Sequence, residues 1–573
     1  MAYLPAFLSG FVWDDDLYVS DNPHVRTIEG LWNIWFHPGA TPQYYPLTFT
    51  SFWLEHHLWG DHPFGYHAVN VLLHALNAGF LWVLLNSLGV RGAWLAAALF
   101  ALHPLHVESV AWITERKNVL SGMFYLAAAI QFLRFARLPE TEYRDSSPKK
   151  SQPPPKGRWI PFVASQVFFV CALLSKTVTC TLPAALSLVL CWKRGRQASR
   201  DLPFLIPMFV LGLVAGVFTA HFEKQQVGAA GSEWSLSIPQ HILLAGRIFW
   251  FYLIKFVWPV ELIFIYPKWE IVVRSWVQWL YPAWVMILFL GLWFLRQRWA
   301  RGPLVAGAIY AVTIFPALGF FNVYFMQFSW VADHFAYLAS FAPFAIVGVV
   351  LSTFAESRDV APIRADGVFP QPKHGTRAGL RTFTASALLL VLGVRTFMQC
   401  LSYQDAEVLW RDTLALNPKA WIAHNNLGLI LQKRGGRDAA REHYQKAIAL
   451  QPDAPQPFSN LGMALAEQGR FEEAVEALRR AIEIDSSYFE ARYNLATASS
   501  LCQEWADAEE QYREAVRLQP RSADAGYGLA VALKQQGRIE EAGDELKRVL
   551  RLAPDHGPAR KALDDLLQAS PAP

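Results

Sequence analysis

Three consecutive aspartates, Asp14, Asp15 and Asp16, follow the aromatic residues Phe11 and Trp13 near the start of the sequence. Clustered carboxylates raise one another's pKa, so one of them can act as a general base, and such a cluster can also hold a divalent cation. A solvated loop or a helix cap is the ordinary alternative for an isolated acidic triplet. The pattern therefore predicts a catalytic base at Asp14 or Asp15 and leaves a metal unknown.

A second group combines histidines, carboxylates and cations at the junction of two apolar segments, and its members are His103, His106, Glu108, Glu115, Arg116 and Lys117. Ionisable residues at such a depth in a membrane are costly unless they are paired or face a wet cavity, so they predict a functional interior. Arg116 offers a bidentate fork and Lys117 a point charge, which suits both to binding a phosphate. We expect the other four to line the cavity, and nothing fixes three of them on one face as metal ligands.

Two further polar groups lie on apolar segments. One face of the first long segment carries a stripe at helical spacing, formed by His67, Asn70, His74 and Asn77. Such a stripe faces the bundle rather than lipid, where it either joins helices by hydrogen bonds or borders a cavity. Another candidate edge of the cavity, beside a later apolar segment, consists of Asp333, His334 and Tyr337.

Apolar runs of roughly 15 to 22 residues, near the length that crosses ~30 Å of hydrocarbon, must position these side chains. Ten such runs are predicted, at 67–88, 93–110, 119–137, 160–174, 178–192, 203–222, 280–296, 303–322, 335–354 and 382–401. The mean hydropathy of +0.19 agrees with one large membrane bundle plus a soluble part. The five cysteines are odd in number and mostly within apolar runs, so no disulfide framework is predicted.

Basic residues predict the sidedness of the loops, because Lys and Arg of short loops stay on the cytoplasmic side. They cluster at 134–158, 193–196, 296–301 and 358–381. All four clusters are cytoplasmic only if the aromatic segment 242–258 lies in the interface or re-enters the membrane instead of crossing it. Residue 13 is then outside although only Met1 to Val12 precede it, which predicts a missing first span and about eleven spans in the complete protein.

From about residue 402 the sequence follows a strict 34-residue period. Small residues recur where paired helices approach closely, and proline or Ser486 ends each second helix. This is the pattern of tetratricopeptide hairpins, which stack into a solenoid with a concave binding face. The fold class is therefore all-α, with a membrane helix bundle at 1–401 and a repeat domain at 402–573 that holds a half repeat, four repeats and a cap helix at 557–569.

Together these features predict a wet, outward-facing cavity with carboxylates on one wall and cations on another. A base there could deprotonate an incoming hydroxyl while the cations stabilise a departing phosphate. This is the chemistry of glycosyl transfer from a polyprenyl-phosphate sugar, which is thus the expected lipid-linked donor. The other expected partners are membrane lipid and a protein or peptide acceptor bound by the repeats, and no nucleic acid is expected.

Four stretches, FVWDDDLYVSDNP, YYPLT, LWGDHPFGYHAVNVLLH and ALHPLHVESVAWITERKNVLSGMFYL, resemble in order and spacing the transmembrane and tetratricopeptide-repeat O-mannosyltransferase family and its bacterial relatives. The resemblance implies a GT-C glycosyltransferase membrane fold, a donor such as dolichyl-phosphate mannose, and Ser/Thr hydroxyls of proteins as acceptors. Asp14 and Asp15 match the paired acidic residues of the first outer loop, where this fold places its catalytic carboxylate, and Asp16 is surplus.

The resemblance also covers the stretch from His103 to Lys117, which it implies lines the donor site. The stretch from Ala332 to Ser340 looks like the family's ADRYxYLPS-type sequence, with His334 at the usual arginine and Ala339 at the usual proline. These two departures bear on the identity of the donor and on how its phosphate is held.

The leading hypothesis is an inverting integral-membrane transferase that moves mannose or another hexose to protein hydroxyls. Two alternatives stay open. One is a non-catalytic membrane-anchored repeat scaffold for envelope assembly, and the other is a transferase that acts on glycans or lipids. Short loops favour a bacterial source, which predicts a multi-pass protein of the inner membrane with its repeats on the extracytoplasmic side.

Overall fold

The computed structural model describes residues 1–138, 159–225, 236–298, 301–353 and 377–569. Every regular element in these ranges is helical, which confirms the all-α class. The chain forms two compact units, Met1–Asp412 and Thr413–Pro573. Their division falls inside the helix Ala406–Leu416, whereas the sequence placed the boundary between residues 401 and 402.

The first unit is a bundle of helices joined by short 3-10 turns. In chain order its described α-helices are α1 (Ile28–Phe36), α2 (Pro46–Trp59), α3 (Pro63–Ser87), α4 (Ala93–Leu102), α5 (Val107–Ala111), α6 (Arg116–Phe135), α7 (Trp159–Ser175), α8 (Leu182–Arg194), α9 (Ile206–Gln225), α10 (Ile238–Val257), α11 (Trp276–Leu295), α12 (Gly302–Ile314), α13 (Phe341–Thr353), α14 (Arg377–Leu401) and α15 (Ala406–Leu416).

Many of these helices are apolar enough for a membrane, as the sequence predicted. Within the described ranges six helical segments have the length and composition to cross it: Pro63–Ser87, Ile113–Phe135, Leu202–Lys224, Ile238–Val257, Trp276–Leu295 and Phe383–Leu401. A seventh is α4 with the segment Pro104–Ala111, bent by 55°. The chain is therefore a membrane protein with several apolar helices.

Of the remaining predicted runs, 160–174 is a helix of about the expected length, and the other three are shorter helices than expected. Three of these four are apolar helices of 10 to 17 residues, at Trp159–Ser175, Gly302–Ala317 and Phe341–Thr353. The run 178–192 begins as a 3-10 turn, Thr177–Thr181, and α8 starts only at Leu182. Apolar composition alone does not locate such breaks, because a short turn whose backbone is satisfied inside the bundle is as apolar as a helix. The basic clusters at 134–158 and 358–381 lie largely outside the described residues.

Helix α10 is the segment that the sequence placed in the interface, and its length and composition would also let it cross. Near its start, the imidazole of His241 contacts the carbonyl oxygen of Gly319, and near its end Phe256 packs on Phe344 at 5.5 Å between ring centroids. Gly319 lies in the connection after α12, and Phe344 lies in the first turn of α13. The interfacial position stays a prediction.

The connection between α4 and α6 carries four of the predicted site residues, and the first turn of α6 carries two more. Helix α4 ends before Pro104, because a residue that precedes proline is disfavoured in the helical region. His103 then caps the next 3-10 turn by accepting from the Leu105 amide. Trp112 is extended and separates α5 from a second 3-10 turn, Ile113–Glu115. Every side chain from 103 to 120 is buried, so this connection forms part of the core.

The second unit consists of helical hairpins of the predicted period. Their helices are α16 (Trp421–Lys433), α17 (Arg437–Leu450), α18 (Pro455–Ala466), α19 (Phe471–Ile484), α20 (Phe489–Leu501), α21 (Trp505–Leu518), α22 (Ala523–Gln535) and α23 (Ile539–Leu552), followed by α24 (Gly557–Ala569). The repeated alanines are fully buried at the helix contacts, as predicted: Ala440, Ala474, Ala508 and Ala542. Helix α24 has the bounds predicted for the cap.

Candidate active site

Asp15 joins the turn formed by residues 12–15 to the connection between α5 and α6. Its carboxylate accepts a hydrogen bond from the Val12 amide at 2.9 Å and two from Thr114, amide and hydroxyl, at 2.7 Å each. The side chain is fully buried. Burial and the adjacent charge of Asp14 raise the pKa of Asp15 to about 8. These contacts make Asp15 a residue that holds the turn in place.

Asp14 has a different environment, although it is the next residue in the chain. Its side chain is half-buried, and one oxygen accepts from the indole N–H of Trp112 at 3.1 Å. Burial raises the pKa of Asp14 to about 6, against the opposing influence of Lys117. A carboxylate with a pKa near the working pH and with open acceptor positions is suited to general-base chemistry. Asp16, by contrast, is exposed and accepts from Ser20.

The backbone before Asp14 is strained. Trp13 has φ of 49°, an uncommon conformation for a bulky side chain that persists only where the surroundings impose it. The indole of Trp13 stacks on Trp112 with ring centroids 5.4 Å apart, and Phe264 and Trp410 pack edge-on at 5.4 and 5.9 Å. This aromatic packing fixes the direction in which the following aspartate leaves the chain.

Two lysines share one glutamate beside this aspartate. The ammonium group of Lys117 lies 3.0 Å from one oxygen of Glu115, and that of Lys176 lies 3.1 Å from the other. Lys117 also lies 5.8 Å from the ring centroid of Trp112, the residue that bonds Asp14. Burial lowers the pKa of Lys176 to about 8, with Glu115 opposing the shift. The two cations exceed the single negative charge of Glu115 by one, and the ionised Asp14 or a bound anion can balance that charge.

The sequence assigned Arg116 to the donor phosphate together with Lys117. In the structure its guanidinium contacts other protein groups instead. Its guanidinium is completely buried and pairs with both oxygens of Glu55. Its remaining donors reach Asn70, the hydroxyl of Ser51 and the carbonyl oxygen of Tyr66. All five N–H groups of an arginine are then used, so none is left for a phosphate in this arrangement. The predicted role of Arg116 stays a prediction, and the geometry speaks against it.

Glu108, His334 and Asp333 form a buried group that ties the 333–336 turn to α5. Burial lowers the pKa of His334 to about 3, so the imidazole is neutral and its Nδ1–H donates to Glu108 at 2.8 Å. The His334 amide donates to the same carboxylate at 3.1 Å. Asp333 accepts from the hydroxyl of Tyr266 at 2.7 Å, and burial raises its pKa to about 7. The imidazole Nε2 lies 4.0 Å from Glu115, which places this group directly behind the two lysines.

The remaining predicted residues lie deeper in the bundle. The hydroxyl of Tyr337 bonds the imidazole of His74 and the side-chain amide of Asn77, both at 2.9 Å. His106 bonds the hydroxyl of Ser340 at 3.1 Å, and His103 is buried beside it. These contacts join α3 and the 3-10 turn Pro104–His106 to the residues that precede α13. For His74 and Asn77 they agree with the interpretation as polar contacts between helices.

Among the residues that the structure describes, no three His, Cys, Asp or Glu side chains are grouped as metal ligands. The divalent cation that the aspartate triplet or the histidine-rich stretch could hold therefore has no built site in those ranges. The carboxylate oxygens of Asp15 already accept hydrogen bonds from Val12 and Thr114. Those of Glu108 already accept hydrogen bonds from His334.

Several residues of this region were missed in the sequence. Lys176 had a usable signal, since it is a lone cation between the predicted spans 160–174 and 178–192, on the side where the positive-inside rule disfavours cations. Glu55 and Gln43, which contact Arg116 and Lys117, had none, because their partners lie more than 60 positions away in the chain. Nothing in the sequence distinguishes Trp112 from the other tryptophans, so its contact with Asp14 could not be predicted.

Comparisons with known proteins identify the repeats. Family models described as tetratricopeptide repeat match residues 418–487 and 503–557. Two solved repeat proteins are similar at 22% identity: YrrB, described as a TPR protein with an unusual peptide-binding site, and TTC0263, a thermophilic TPR protein of Thermus thermophilus. Each likeness covers 32% of this chain, with 91% and 96% of the other chain and TM-scores of 0.25 and 0.26. The predicted repeats are confirmed.

The curated relatives are protein O-mannosyl-transferases. Tmtc2 of Xenopus laevis is 34% identical over 146 residues, which is 23% of this chain and 17% of the relative. TMTC4 of Homo sapiens is 30% identical over 162 residues, or 24% and 22% of the two chains. The matches lie over the repeat region, and the chain covers about a fifth of these relatives' length. The resemblance to this group of proteins is thus confirmed for the repeats.

Proposed function

We propose that this chain is an integral-membrane glycosyltransferase of the GT-C type, which moves a hexose from a polyprenyl-phosphate donor to Ser/Thr hydroxyls of proteins. The observation that carries the proposal is the position of Asp14, a half-buried carboxylate that accepts a hydrogen bond from Trp112, beside Lys117 and Lys176, which share Glu115. The names of the curated relatives, protein O-mannosyl-transferases, support the same activity.

In the proposed reaction Asp14 takes the proton of the acceptor hydroxyl. The hydroxyl oxygen forms a bond to the anomeric carbon as the bond from that carbon to the phosphate oxygen breaks on the opposite face, so the configuration inverts. Lys117 and Lys176 stabilise the negative charge that develops on the departing lipid phosphate. Arg116 instead holds α2 and α3 to the start of α6 through Glu55 and Tyr66.

The tetratricopeptide repeats are proposed to hold the acceptor protein or a partner. Repeat solenoids of this kind present an extended concave surface for peptides. Binding there would raise the local concentration of the acceptor and would strengthen an otherwise weak encounter with the transferase. We further propose that the repeats and the aspartates lie on the same, extracytoplasmic side of the membrane, which the distribution of basic residues favours.

The decisive experiment measures transfer by the purified full chain in lipid nanodiscs. The donors are polyprenyl-phosphate mannose and polyprenyl-phosphate glucose, the acceptor is a Ser/Thr-rich peptide, and mass spectrometry detects the added hexose. We expect one hexose per modified hydroxyl. If neither donor yields product although the peptide binds the chain, the scaffold function replaces the enzyme. If sugar appears only on lipid or glycan acceptors added in parallel, the acceptor class is wrong.

A further inference from the structure

Glu223, near the end of α9, is a carboxylate with one unpaired oxygen. The residue is only 8% exposed. Its Oε1 accepts from the side-chain amide of Gln43 at 2.9 Å, whereas its Oε2 is buried and makes no hydrogen bond of ordinary geometry. An unpaired buried carboxylate oxygen loses its hydration without replacement, so native structures seldom keep one unless water or a ligand completes it.

This oxygen borders a small cleft. The cleft encloses about 10 Å³, room for roughly one water molecule or one hydroxyl group, and is lined by Gln43, Tyr45, Thr219 and Glu223, with Tyr44 and Phe218 as an aromatic wall. The rings of Tyr44 and Phe218 pack edge to face at 5.3 Å. A cleft of this kind combines hydrogen-bonding groups with an apolar surface, and its size suits a small polar group more than a lipid chain.

A single side chain, Gln43, connects the cleft to Lys117 of the proposed phosphate site. The Oε1 of Gln43 accepts from the ammonium group of Lys117 at 3.2 Å, while its amide nitrogen donates to Glu223. Gln43 is fixed in this orientation by the hydroxyl of Tyr18, which donates to the same oxygen at 3.0 Å. A phosphate held at Lys117 would therefore place the group attached to it next to Glu223.

We infer that Glu223 and Gln43 form the subsite that binds the hydroxyl groups of the donor sugar. An ionised carboxylate is an acceptor only, so it pairs with a hydroxyl and repels a phosphate. This inference rests on the proposed function and adds to it the part of the chain that recognises the sugar.

The test separates the sugar from the lipid that carries it. Binding of polyprenyl-phosphate mannose and of bare polyprenyl phosphate to the full chain in nanodiscs is measured for wild type and for Glu223→Gln. A hydrogen bond to a charged group is typically worth enough to change affinity by roughly 10- to 100-fold. We expect a loss of at least about tenfold for the mannose-bearing lipid and less than about twofold for the bare lipid. Glu270→Gln, at an exposed glutamate, is the matched control.

Each other result is decisive. An unchanged affinity for both lipids, or an equal loss for both, overturns the sugar subsite while the proposed donor class stands. If wild type binds neither lipid, the proposed function itself fails. Should Glu223→Gln not fold, wild type is measured with donors that lack single sugar hydroxyls. At least one deoxy donor must then bind about tenfold more weakly than the parent, and equal affinity for all of them overturns the inference.

Discussion

Charged side chains are organised in opposite ways in the two units. In the first unit two of the buried ion pairs join residues about 60 positions apart in the chain, Arg116 with Glu55 and Lys176 with Glu115. In the repeats most pairs are exposed and join residues three or four positions apart on one helix, for example Arg517 with Glu514. The same residue types therefore serve two different purposes.

The difference teaches where changes of charge matter. An exposed pair within one helix contributes only a few tenths of a kcal/mol, because water and salt screen it. A buried pair must repay a large loss of hydration, so removing one partner leaves a costly unpaired charge. Buried charges in a membrane bundle consequently mark the parts that fix geometry or perform chemistry. The predictions below test this contrast, beginning with the largest effect.

The largest expected effect follows replacement of the proposed base, Asp14→Asn. The amide cannot accept the proton of the acceptor hydroxyl, so kcat/KM for sugar transfer should fall by about 10²- to 10⁴-fold. Transfer is measured with the donor and peptide of the nanodisc assay. The matched control is Asp16→Asn, two positions away and exposed, which should stay within about twofold of wild type. Equal activity of both variants would remove Asp14 as the base.

The next effect concerns stability rather than chemistry. Arg116→Met leaves the Glu55 carboxylate buried without its partner, which should destabilise the folded chain by about 3 to 5 kcal/mol. The measurement is the thermal unfolding midpoint of the full chain in detergent. The double variant Arg116→Met with Glu55→Leu should recover most of the loss, because no unpaired charge remains. A single variant as stable as wild type would show that the pair is not a structural element.

Sequence patterns predicted the repeats and their period but not the partners of the charged residues in the first unit. The 34-residue period works because each repeat contacts only its neighbours, so local register fixes the structure, down to the buried Ala474. In the first unit the structure brings Glu115 and Lys117 of the predicted segment close to Asp14. It could not assign roles, since Arg116 and Lys117 are adjacent in sequence and differ only in which distant residues they contact.

The same limit explains the two aspartates. Asp14 and Asp15 are equivalent in composition and position, and only the fold directs Asp15 toward Thr114 and Asp14 toward Trp112. The sequence also did not locate the helix breaks, because the turn before α8 is as apolar as a membrane span. Contacts between residues far apart in the chain decide these features. A single sequence has no local pattern that predicts such contacts.

The pH dependence of transfer sharpens the contrast between the base and the cations. Burial raises the pKa of Asp14 to about 6, so the ionised base is lost below that pH and the rate should fall about tenfold per unit. Burial lowers the pKa of Lys176 to about 8, so one cation at the phosphate is lost above that pH. We therefore expect a bell-shaped profile of kcat/KM with its maximum near pH 7.

Because arginine stays charged, Lys176→Arg should remove the alkaline limb and leave the acid limb in place. An alkaline limb that survives this change would assign it to another group.

The smallest expected effect completes the comparison from the side of the repeats. Arg517 pairs with Glu514 at 2.9 Å, three positions apart on α21, and the arginine side chain is 66% exposed. Arg517→Gln keeps a good helix former and removes one screened pair, so the stability should change by no more than about 0.5 kcal/mol. The thermal midpoint in detergent and sugar transfer should both stay near wild type. A loss as large as that expected for Arg116→Met would mean that exposed charges of the repeats carry energy or bind a partner, and the division of roles between the two units would then be wrong.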